Sequence, residues 1–222
     1  MMYAWAQRAD TTAFDEPIYA HYLRVTGRAH PGDEEVLAAQ DNDGQAVIRE
    51  VMLADYDTPI VFFKQMAKHL VELDWSFLPK FRNVLLTREP HDMLTSLQVR
   101  LPDASIKDTG FPELLEILDW LLEAEEEPIV VDTKLLLQDP RAVLTELCSR
   151  LDVPFDDAML SWPSGPKAED GVWAKHWYDG VHKSTGWAAN VAKDVELLPA
   201  VLPVLDEILP MYERLLPYVI RR

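Results

Sequence analysis

The sequence predicts an α/β fold in which a parallel sheet is covered by helices. Three short apolar runs, at 59–63, 83–87 and 128–131, each lead into a polar or charged residue. Segments with apolar residues at helical spacing separate these runs, and this alternation is typical of parallel strands buried on both faces. The chain has 222 residues, which suits one domain covering 1–222.

The first part of the chain contains two predicted strands. Residues 11–15 predict a strand that leads into Glu16 and Pro17, and residues 59–63 predict a strand that ends at Lys64. Apolar residues at helical spacing fill most of the remaining sequence. The predicted helices in this part cover 1–8, 18–25, 34–40, 45–53 and 65–73.

The second part of the chain continues the same alternation. The runs at 83–87 and 128–131 predict strands that end at Arg88 and Asp132. Asp139 followed by Pro140 supplies the cap and the first turn of a helix. The predicted helices in this part cover 90–99, 112–124 and 139–151.

The last 60 residues differ in composition from the rest. Residues 161–187 are rich in Pro, Gly, Trp and His, and they predict an irregular segment that closes the site. Its four tryptophans favour an ordered conformation. Residues 194–220 predict a helical segment, although its pattern is interrupted at Pro199, Pro203 and Pro210.

Composition and charge exclude several classes of function. A net charge of −17 argues against nonspecific nucleic-acid binding, which needs a basic surface. No apolar run is long enough to span a bilayer and no signal peptide is recognised, so we expect a cytoplasmic protein without a membrane partner. The single cysteine, Cys148, permits no intramolecular disulfide and is predicted to be a core residue.

The clearest candidate site follows the strand at 83–87. Arg88 lies where the strand ends, and Asp92 and Ser96 are four residues apart on the following helix, on one face. Ligands of open α/β sheets bind at the carboxyl ends of strands, where a guanidinium and a hydroxyl can grip a phosphate together. The alternative is an Arg88–Asp92 ion pair with Ser96 as a surface hydroxyl.

The segment from Arg88 to Ser96 resembles the 3′-phosphate-binding motif of sulfotransferases of the P-loop superfamily. The resemblance implies that Arg88 and Ser96 bind the 3′-phosphate of 3′-phosphoadenosine 5′-phosphosulfate, the sulfuryl donor, while Asp92 supports the loop. It also implies a three-layer parallel sheet of the P-loop type. The segments 15–23, 85–88 and 170–186 resemble small bacterial sulfotransferase-like proteins, some of them related to a domain fused to aminotransferase-like modules.

A second feature of the resemblance is Glu16-Pro17 followed by aromatic residues. In several bacterial and glycan sulfotransferases a Glu at this place is the catalytic base, and the resemblance assigns that role to Glu16. An attacking hydroxyl must lose its proton, and a carboxylate at a strand tip can accept it. The alternative is that Glu16 caps the helix that follows.

The strand end at Lys64 resembles the Lys-x-His segment of cytosolic sulfotransferases. Lys64 fits the position of the Lys, which would stabilise charge on the sulfuryl group. Met66 occupies the position of the His, and His69 lies one turn further along. Lys64 is therefore the candidate here, and His69 is expected to be structural.

The last candidate is the run His182, Lys183, Ser184, Thr185 and Gly186. Sulfotransferases close the nucleotide site with a basic, glycine-containing loop, and the resemblance makes this run its counterpart. Its cation, its hydroxyls and its glycine suit phosphate contacts. The alternative is a surface loop anchored by tryptophans. No metal is expected, because fixed cations supply the charge.

The sequence lacks the glycine-rich loop that binds the 5′-phosphosulfate in this family. We expect that loop and the first strand of the sheet to lie upstream of Met1, so that the chain is truncated. The 222 residues alone are then expected to bind the nucleotide poorly and to turn over little. Whether this chain is an active enzyme is left open.

Two other functions fit the sequence. One is a catalytically degenerate module that binds a ligand or a partner, which the missing loop and Met66 favour. The other is a small-molecule kinase, in which Asp132 at a strand end would hold Mg²⁺. The acceptor is expected to be a small molecule or a glycan in a pocket lined by the aromatic residues of 19–22 and 173–178. The sequence does not indicate an oligomeric state.

Overall fold

The structure, a computed structural model, describes residues 1–188 and 195–221 and divides into two compact units. The first unit consists of Met1–Phe77 and Asp156–Trp187, and the second of Leu78–Phe155 and Ala188–Arg222 within the described residues. The single domain at 1–222 therefore stays a prediction. No helix in the described ranges is long and apolar enough to cross a membrane.

The first unit is built on two parallel strands. Strand β1 (Thr11–Asp15) pairs with β2 (Ile60–Lys64), in a register that sets Asp15 opposite Lys64. Both strands were predicted, and the structure confirms them. The helices of this unit are α1 (Met2–Trp5), α2 (Tyr19–Thr26), α3 (Asp33–Ala39), α4 (Gly44–Val47) with a π-helical extension Ile48–Met52, α10 (Ala174–Trp177) and α11 (Asp179–His182).

Two helix predictions in this unit were wrong. The helix predicted at 1–8 is only four residues long, and 65–73 forms a 3₁₀ turn at Ala67–His69 between irregular stretches. Ring nitrogens of two residues outside this segment lie against carbonyls near its end. His21 Nε2 lies 2.8 Å from the Val71 carbonyl, and Trp75 Nε1 donates to the Leu70 carbonyl at 2.9 Å. These bonds hold the end of the segment in its irregular conformation.

The second unit also contains two parallel strands. Strand β3 (Val84–Thr87) pairs with β4 (Ile129–Asp132), and Val219 forms a parallel bridge to Val130. An α/β fold with parallel strands is thus confirmed. Cys148 is fully buried in the core, as predicted. The helices of this unit are α5 (Pro90–Leu97), α6 (Ile106–Thr109), α7 (Phe111–Glu123), α8 (Thr133–Gln138), α9 (Pro140–Arg150) and α12 (Leu202–Leu215).

Helix α8 was not predicted, and it changes the role of the residue before it. Asp132, which ends β4, caps α8 by accepting from the backbone N–H groups of Lys134 and Leu135. Thr133 then ties the helix to β3 by donating to the Thr87 carbonyl at 2.7 Å. Of the segment predicted at 194–220, Asp194 lies outside the described residues.

Candidate active site

The carboxyl ends of β1 and β2 bring three charged side chains together. Lys64 donates to Asp15 Oδ1 at 2.9 Å and forms a closer ion pair with Glu16. The side chain of Asp15 is 1% exposed and that of Glu16 is 9% exposed, whereas Lys64 is 28% exposed. The two residues predicted to be catalytic, Glu16 and Lys64, are therefore in direct contact.

Two carboxylates share one ammonium in this cluster. Burial lowers the pKa of Lys64, but Glu16 and Asp15 outweigh that effect and raise it above its ordinary value. Burial raises the pKa of Glu16, because the single cation offsets only part of the loss of water. Lys64 is therefore charged at neutral pH, and Glu16 is a carboxylate with enhanced affinity for a proton.

The backbone at Glu16 is held in an uncommon conformation. Its φ of 44° lies in the left-handed region, which is uncommon for a residue other than glycine. Its N–H donates to the Lys64 carbonyl at 2.8 Å, and its own carbonyl accepts from Gln40 Nε2 at 3.1 Å. Helix α2 begins after Ile18 without a side-chain cap, so the side chain of Glu16 serves the cluster and not the helix.

His69 lies closer to this cluster than the sequence suggested. Its Nδ1 is 3.7 Å from Glu16 Oε2, and its ring stacks on Tyr19 with centroids 4.8 Å apart. The ring is buried, and Nδ1 has no hydrogen-bond partner within the described part of the chain. Burial, followed by the charges of Lys68 and Lys64, lowers the pKa of His69 well below its usual range. The imidazole is therefore neutral beside Glu16.

The segment 161–187, which we call the closing segment, contributes Tyr178 to the cluster. The Tyr178 hydroxyl lies 2.8 Å from Asp15 Oδ2 and 2.5 Å from Lys64 Nζ. The backbone N–H of Gly171 donates to Asp15 Oδ2 at 3.2 Å. Two places in the closing segment thus bond to the tip of β1.

The run 182–186 of the closing segment is engaged largely in contacts within the protein. His182 Nε2 lies 2.9 Å from Asp170 Oδ2, and Trp162 Nε1 donates to Ser184 Oγ at 3.0 Å. Thr185 accepts from the Trp162 N–H, and Gly186 forms a bridge to Ser161. Tryptophan anchoring, the alternative interpretation of this loop, is thus present. Lys183 is exposed.

The aromatic residues predicted to line an acceptor pocket instead pack against one another. Tyr19, Tyr22 and Trp173 are buried in one hydrophobic cluster, against which Trp177 and Tyr178 pack. Tyr19 contacts Trp173 edge to face with centroids 5.1 Å apart. These rings therefore form part of the core, and Tyr178 bonds directly to the charged cluster.

Helix α1 packs against strand β2. Trp5 of α1 stacks on Phe62 of β2 with centroids 5.4 Å apart. Helix α1 is therefore fixed against the strand that carries Lys64.

The predicted phosphate anchors lie in the second unit. Arg88 follows β3 directly, and Ser96 is exposed on α5. The Nε atom of Arg88 is buried and has no hydrogen-bond partner among the described residues, and the same holds for the hydroxyls of Thr87 and Thr95. A buried donor without an acceptor is unfavourable. This strand–helix connection is therefore suited to an anionic oxygen ligand.

Helix α5 begins with a group of potential metal ligands. Glu89, His91 and Asp92 each place one ligand atom within 4.8 Å of the others. However, the carboxylate of Glu89 accepts from the backbone N–H groups of His91 and Asp92, so it caps the helix. This cap holds the loop that carries Arg88.

Sequence reasoning missed three residues beside the cluster or in it. The sequence predicts no role for Asp15 beyond the end of a strand, and it predicts Tyr178 only as a pocket residue. Gln65, which follows Lys64, has both amide atoms buried without a partner within the described residues. Tyr178 is 163 residues from its partner Asp15, and no local pattern signals such a contact.

Comparison with known proteins identifies relatives over most of the chain. The family model described as "Sulfotransferase domain" matches residues 1–215. Two proteins of Arabidopsis thaliana, branched-chain-amino-acid aminotransferase-like proteins 2 and 1, are each 33% identical to this chain, over 96% and 99% of its length. The chain spans only 38% and 40% of their length.

Two solved structures are similar at low identity. The sulfotransferase domain from the curacin biosynthetic pathway gives a TM-score of 0.44 at 14% identity, covering 85% of this chain and 76% of that one. The sulfotransferase domain from the Synechococcus PCC 7002 olefin synthase gives 0.37 at 18% identity, covering 89% and 94%.

Proposed function

Because this chain belongs to the sulfotransferase domain family, we propose that it transfers a sulfuryl group from 3′-phosphoadenosine 5′-phosphosulfate to a hydroxyl or amine of a small molecule or glycan. The observation that carries the proposal is the buried contact between Glu16 and Lys64 at the strand tips. The proposal concerns only the part of the longer relatives that this chain matches, about two fifths of each.

Glu16 is the general base of the proposed reaction. Its burial raises its pKa, so it accepts a proton more readily than an exposed carboxylate does. It takes the proton of the acceptor group as the new bond to sulfur forms. Lys64, which the two carboxylates keep charged, stabilises the negative charge on the sulfuryl oxygens. Neutral His69 packs behind Glu16 and excludes water from it.

Arg88, Ser96 and the adjacent threonines form the proposed nucleotide anchor. The donor supplies the sulfuryl group and leaves as adenosine 3′,5′-bisphosphate. Arg88 fits a phosphate because its buried Nε has no acceptor in the described parts of the chain. The hydroxyls of Thr87 and Thr95, which are also without partners, add donors on the same strand and helix. Of the run 182–186, Lys183 is exposed and is the cation proposed to contact the nucleotide.

Nucleotide binding by these 222 residues is proposed to be weak. These residues contain no glycine-rich phosphate loop, so the contacts proposed for the nucleotide are those of the anchor around Arg88. If the chain binds the nucleotide but transfers nothing, the alternative of a degenerate binding module is correct. The kinase alternative is disfavoured, because Asp132 already accepts from two backbone N–H groups and from the Tyr212 hydroxyl.

Titration with adenosine 3′,5′-bisphosphate tests the nucleotide anchor. Calorimetry should show weak binding that Arg88→Met reduces by about tenfold or more, as expected for loss of a charge-assisted contact. Arg82→Met is the matched control, because Arg82 is an exposed arginine of the same unit and the charge change is identical. Equal losses in both variants would refute a specific anchor. ATP with Mg²⁺ should bind more weakly than the bisphosphate, and the reverse order would favour the kinase.

Transfer of radiolabelled sulfuryl to a panel of aryl alcohols and sugars tests the chemistry. Glu16→Gln should lower the transfer rate by about 10²-fold or more, the usual contribution of general base catalysis, with little change in bisphosphate binding. Glu34→Gln, at an exposed position in the same unit, should leave the rate unchanged. A Glu16→Gln variant with the full rate would remove Glu16 from the mechanism.

A further inference from the structure

The closing segment is fastened to the rest of the first unit at two levels. At its ends, Ser161 bridges Gly186 and Trp187 Nε1 donates to the Met159 carbonyl at 3.0 Å. In its middle, Gly171 and Tyr178 bond to the carboxylate of Asp15. The end contacts join residues at or next to the two ends of the segment, whereas the middle contacts join the segment to Asp15 at the end of β1. Asp15 therefore joins two places in the middle of this segment to the end of β1.

Asp15 is built as an acceptor for that link. Its side chain is 1% exposed, and it accepts from Lys64 at 2.9 Å, from Tyr178 at 2.8 Å and from the Gly171 N–H at 3.2 Å. These three donors fix the orientation of the Asp15 side chain, so Asp15 is suited to positioning the groups around it.

Each of the three N–H groups of the Lys64 ammonium has an acceptor in the same arrangement. An ammonium has three N–H donors, and Lys64 donates to Asp15, Glu16 and Tyr178. Two of these acceptors are carboxylates, and Tyr178 is a neutral hydroxyl. A negatively charged oxygen is a better acceptor for an ammonium than a phenol is. Tyr178 is therefore the partner that an incoming anionic group displaces.

We propose that Asp15 and Tyr178 are positioning residues. Asp15 attaches the closing segment to the end of β1, a contact that we call the latch. Tyr178 holds the Lys64 N–H that a sulfuryl oxygen later takes over. After the exchange, Tyr178 keeps its bond to Asp15, so the segment stays attached while Lys64 turns to the sulfuryl group. This inference rests on the proposed function for the role of Lys64, but the latch itself does not.

Hydrogen exchange tests the latch without any enzymatic assay. Asp15→Asn and Tyr178→Phe should each speed amide exchange between Gly171 and Tyr178 by about tenfold, as expected for loss of a hydrogen bond to a buried charge. Tyr56→Phe is the matched control: it removes a phenol hydroxyl that donates to the Val51 carbonyl in the same unit, and exchange in the closing segment should not change. Unchanged exchange in Asp15→Asn would overturn the latch.

Two further readouts separate positioning from general damage. In ¹⁵N spectra the Lys64 ammonium, assigned by its loss in Lys64→Met, should exchange its protons about tenfold faster in Tyr178→Phe than in Tyr56→Phe. The double variant of Asp15→Asn and Tyr178→Phe should exchange no faster than Asp15→Asn alone, because both act through one bond. Additive effects would overturn the shared latch.

Sulfuryl transfer distinguishes failure of this inference from failure of the proposed function. If wild type transfers sulfuryl, Tyr178→Phe should lower kcat more than it raises KM for the donor, because Lys64 loses its orientation. A proportional loss in Tyr56→Phe would overturn that role. If wild type transfers nothing while the exchange effects are present, the proposed function fails and the latch stands.

Discussion

At the scale of single residues, buried polar groups without partners distinguish this protein from one built only for stability. Gln65 follows the catalytic strand β2 with both amide atoms buried and unpartnered in the described ranges, whereas Gln98 is buried with both ends bonded. Gln98 donates to the Glu196 carbonyl at 3.2 Å and accepts from the Leu198 N–H at 2.9 Å. Two glutamines thus offer a matched test of what an unpaired amide contributes.

Replacement of each glutamine by methionine should have opposite effects on stability. Gln65→Met removes an unsatisfied amide while keeping the shape of the side chain, so the free energy of unfolding should rise by about 1 kcal/mol. Gln98→Met leaves two backbone groups without partners and should lower it by about 1–3 kcal/mol. Urea denaturation measures both. A loss of stability in Gln65→Met would show that its amide is satisfied.

His69 should make the first unit sensitive to acid. Its pKa is lowered in the folded protein, first by burial and then by Lys68 and Lys64. As the pH falls below about 6.5, the unfolded chain binds a proton that the folded chain does not, so stability falls with decreasing pH. His69→Gln should flatten this part of the pH–stability curve, measured by thermal unfolding from pH 8 to pH 5.

The control for His69 is His91→Gln, because His91 is exposed on α5. This variant should keep the slope of the wild type. His30, whose pKa burial also lowers, should leave some acid sensitivity in His69→Gln. An unchanged slope in His69→Gln would show that His69 carries a proton in the folded state as readily as in the unfolded one.

At the scale of elements, sequence patterns predicted strands well and the segment after β2 poorly. All four strands were predicted within a residue or two, and three of them, β2 to β4, follow the continuous apolar runs that are typical of buried parallel strands. The helix predicted at 65–73 was wrong: the segment forms only a 3₁₀ turn, and its end is held by contacts with His21 and Trp75. Such contacts have no local signature.

The same distinction applies to the candidate site. Glu16 and Lys64 end strands and carry the family resemblance, so they could be predicted, and the register of β1 and β2 sets neighbouring residues together. Tyr178 and Asp170 could not, because the closing segment has no repeating pattern from which a side chain's direction follows. Its path is set by tryptophans that pack within it, such as Trp162 and Trp187 with centroids 5.4 Å apart.

The cap of helix α9 was predicted from the sequence, and the structure confirms it. Asp139 accepts from the Ala142 N–H at 3.0 Å, and Pro140 starts the helix. Asp139→Ala should lower the free energy of unfolding by about 1 kcal/mol, the usual loss for a side-chain cap. Asp139→Asn should recover most of it, since Asn also caps. Equal losses in the two variants would show that charge and not capping is responsible.

At the scale of the whole molecule, the charge of −17 opposes both folding and the approach of an anionic nucleotide. Positively charged side chains such as Lys64 and Arg88 offset this negative charge only in their own surroundings. Exposed ion pairs such as Lys175–Glu35 contribute little to stability, because water and salt screen them. Long-range repulsion among surface carboxylates is therefore the electrostatic effect that salt should change most.

Salt should stabilise this protein. Raising NaCl from about 0.02 M to about 0.3 M shortens the screening length to well under 10 Å, which weakens repulsion between distant carboxylates and leaves the buried Lys64 cluster nearly unaffected. The Tm should rise by a few degrees and then level off. At equal ionic strength, sulfate should add a further increase that Arg88→Met removes and Arg82→Met retains, because sulfate also occupies the phosphate anchor. A Tm that falls with NaCl would mean that exposed ion pairs outweigh the repulsion, and a sulfate effect that survives in Arg88→Met would place anion binding elsewhere.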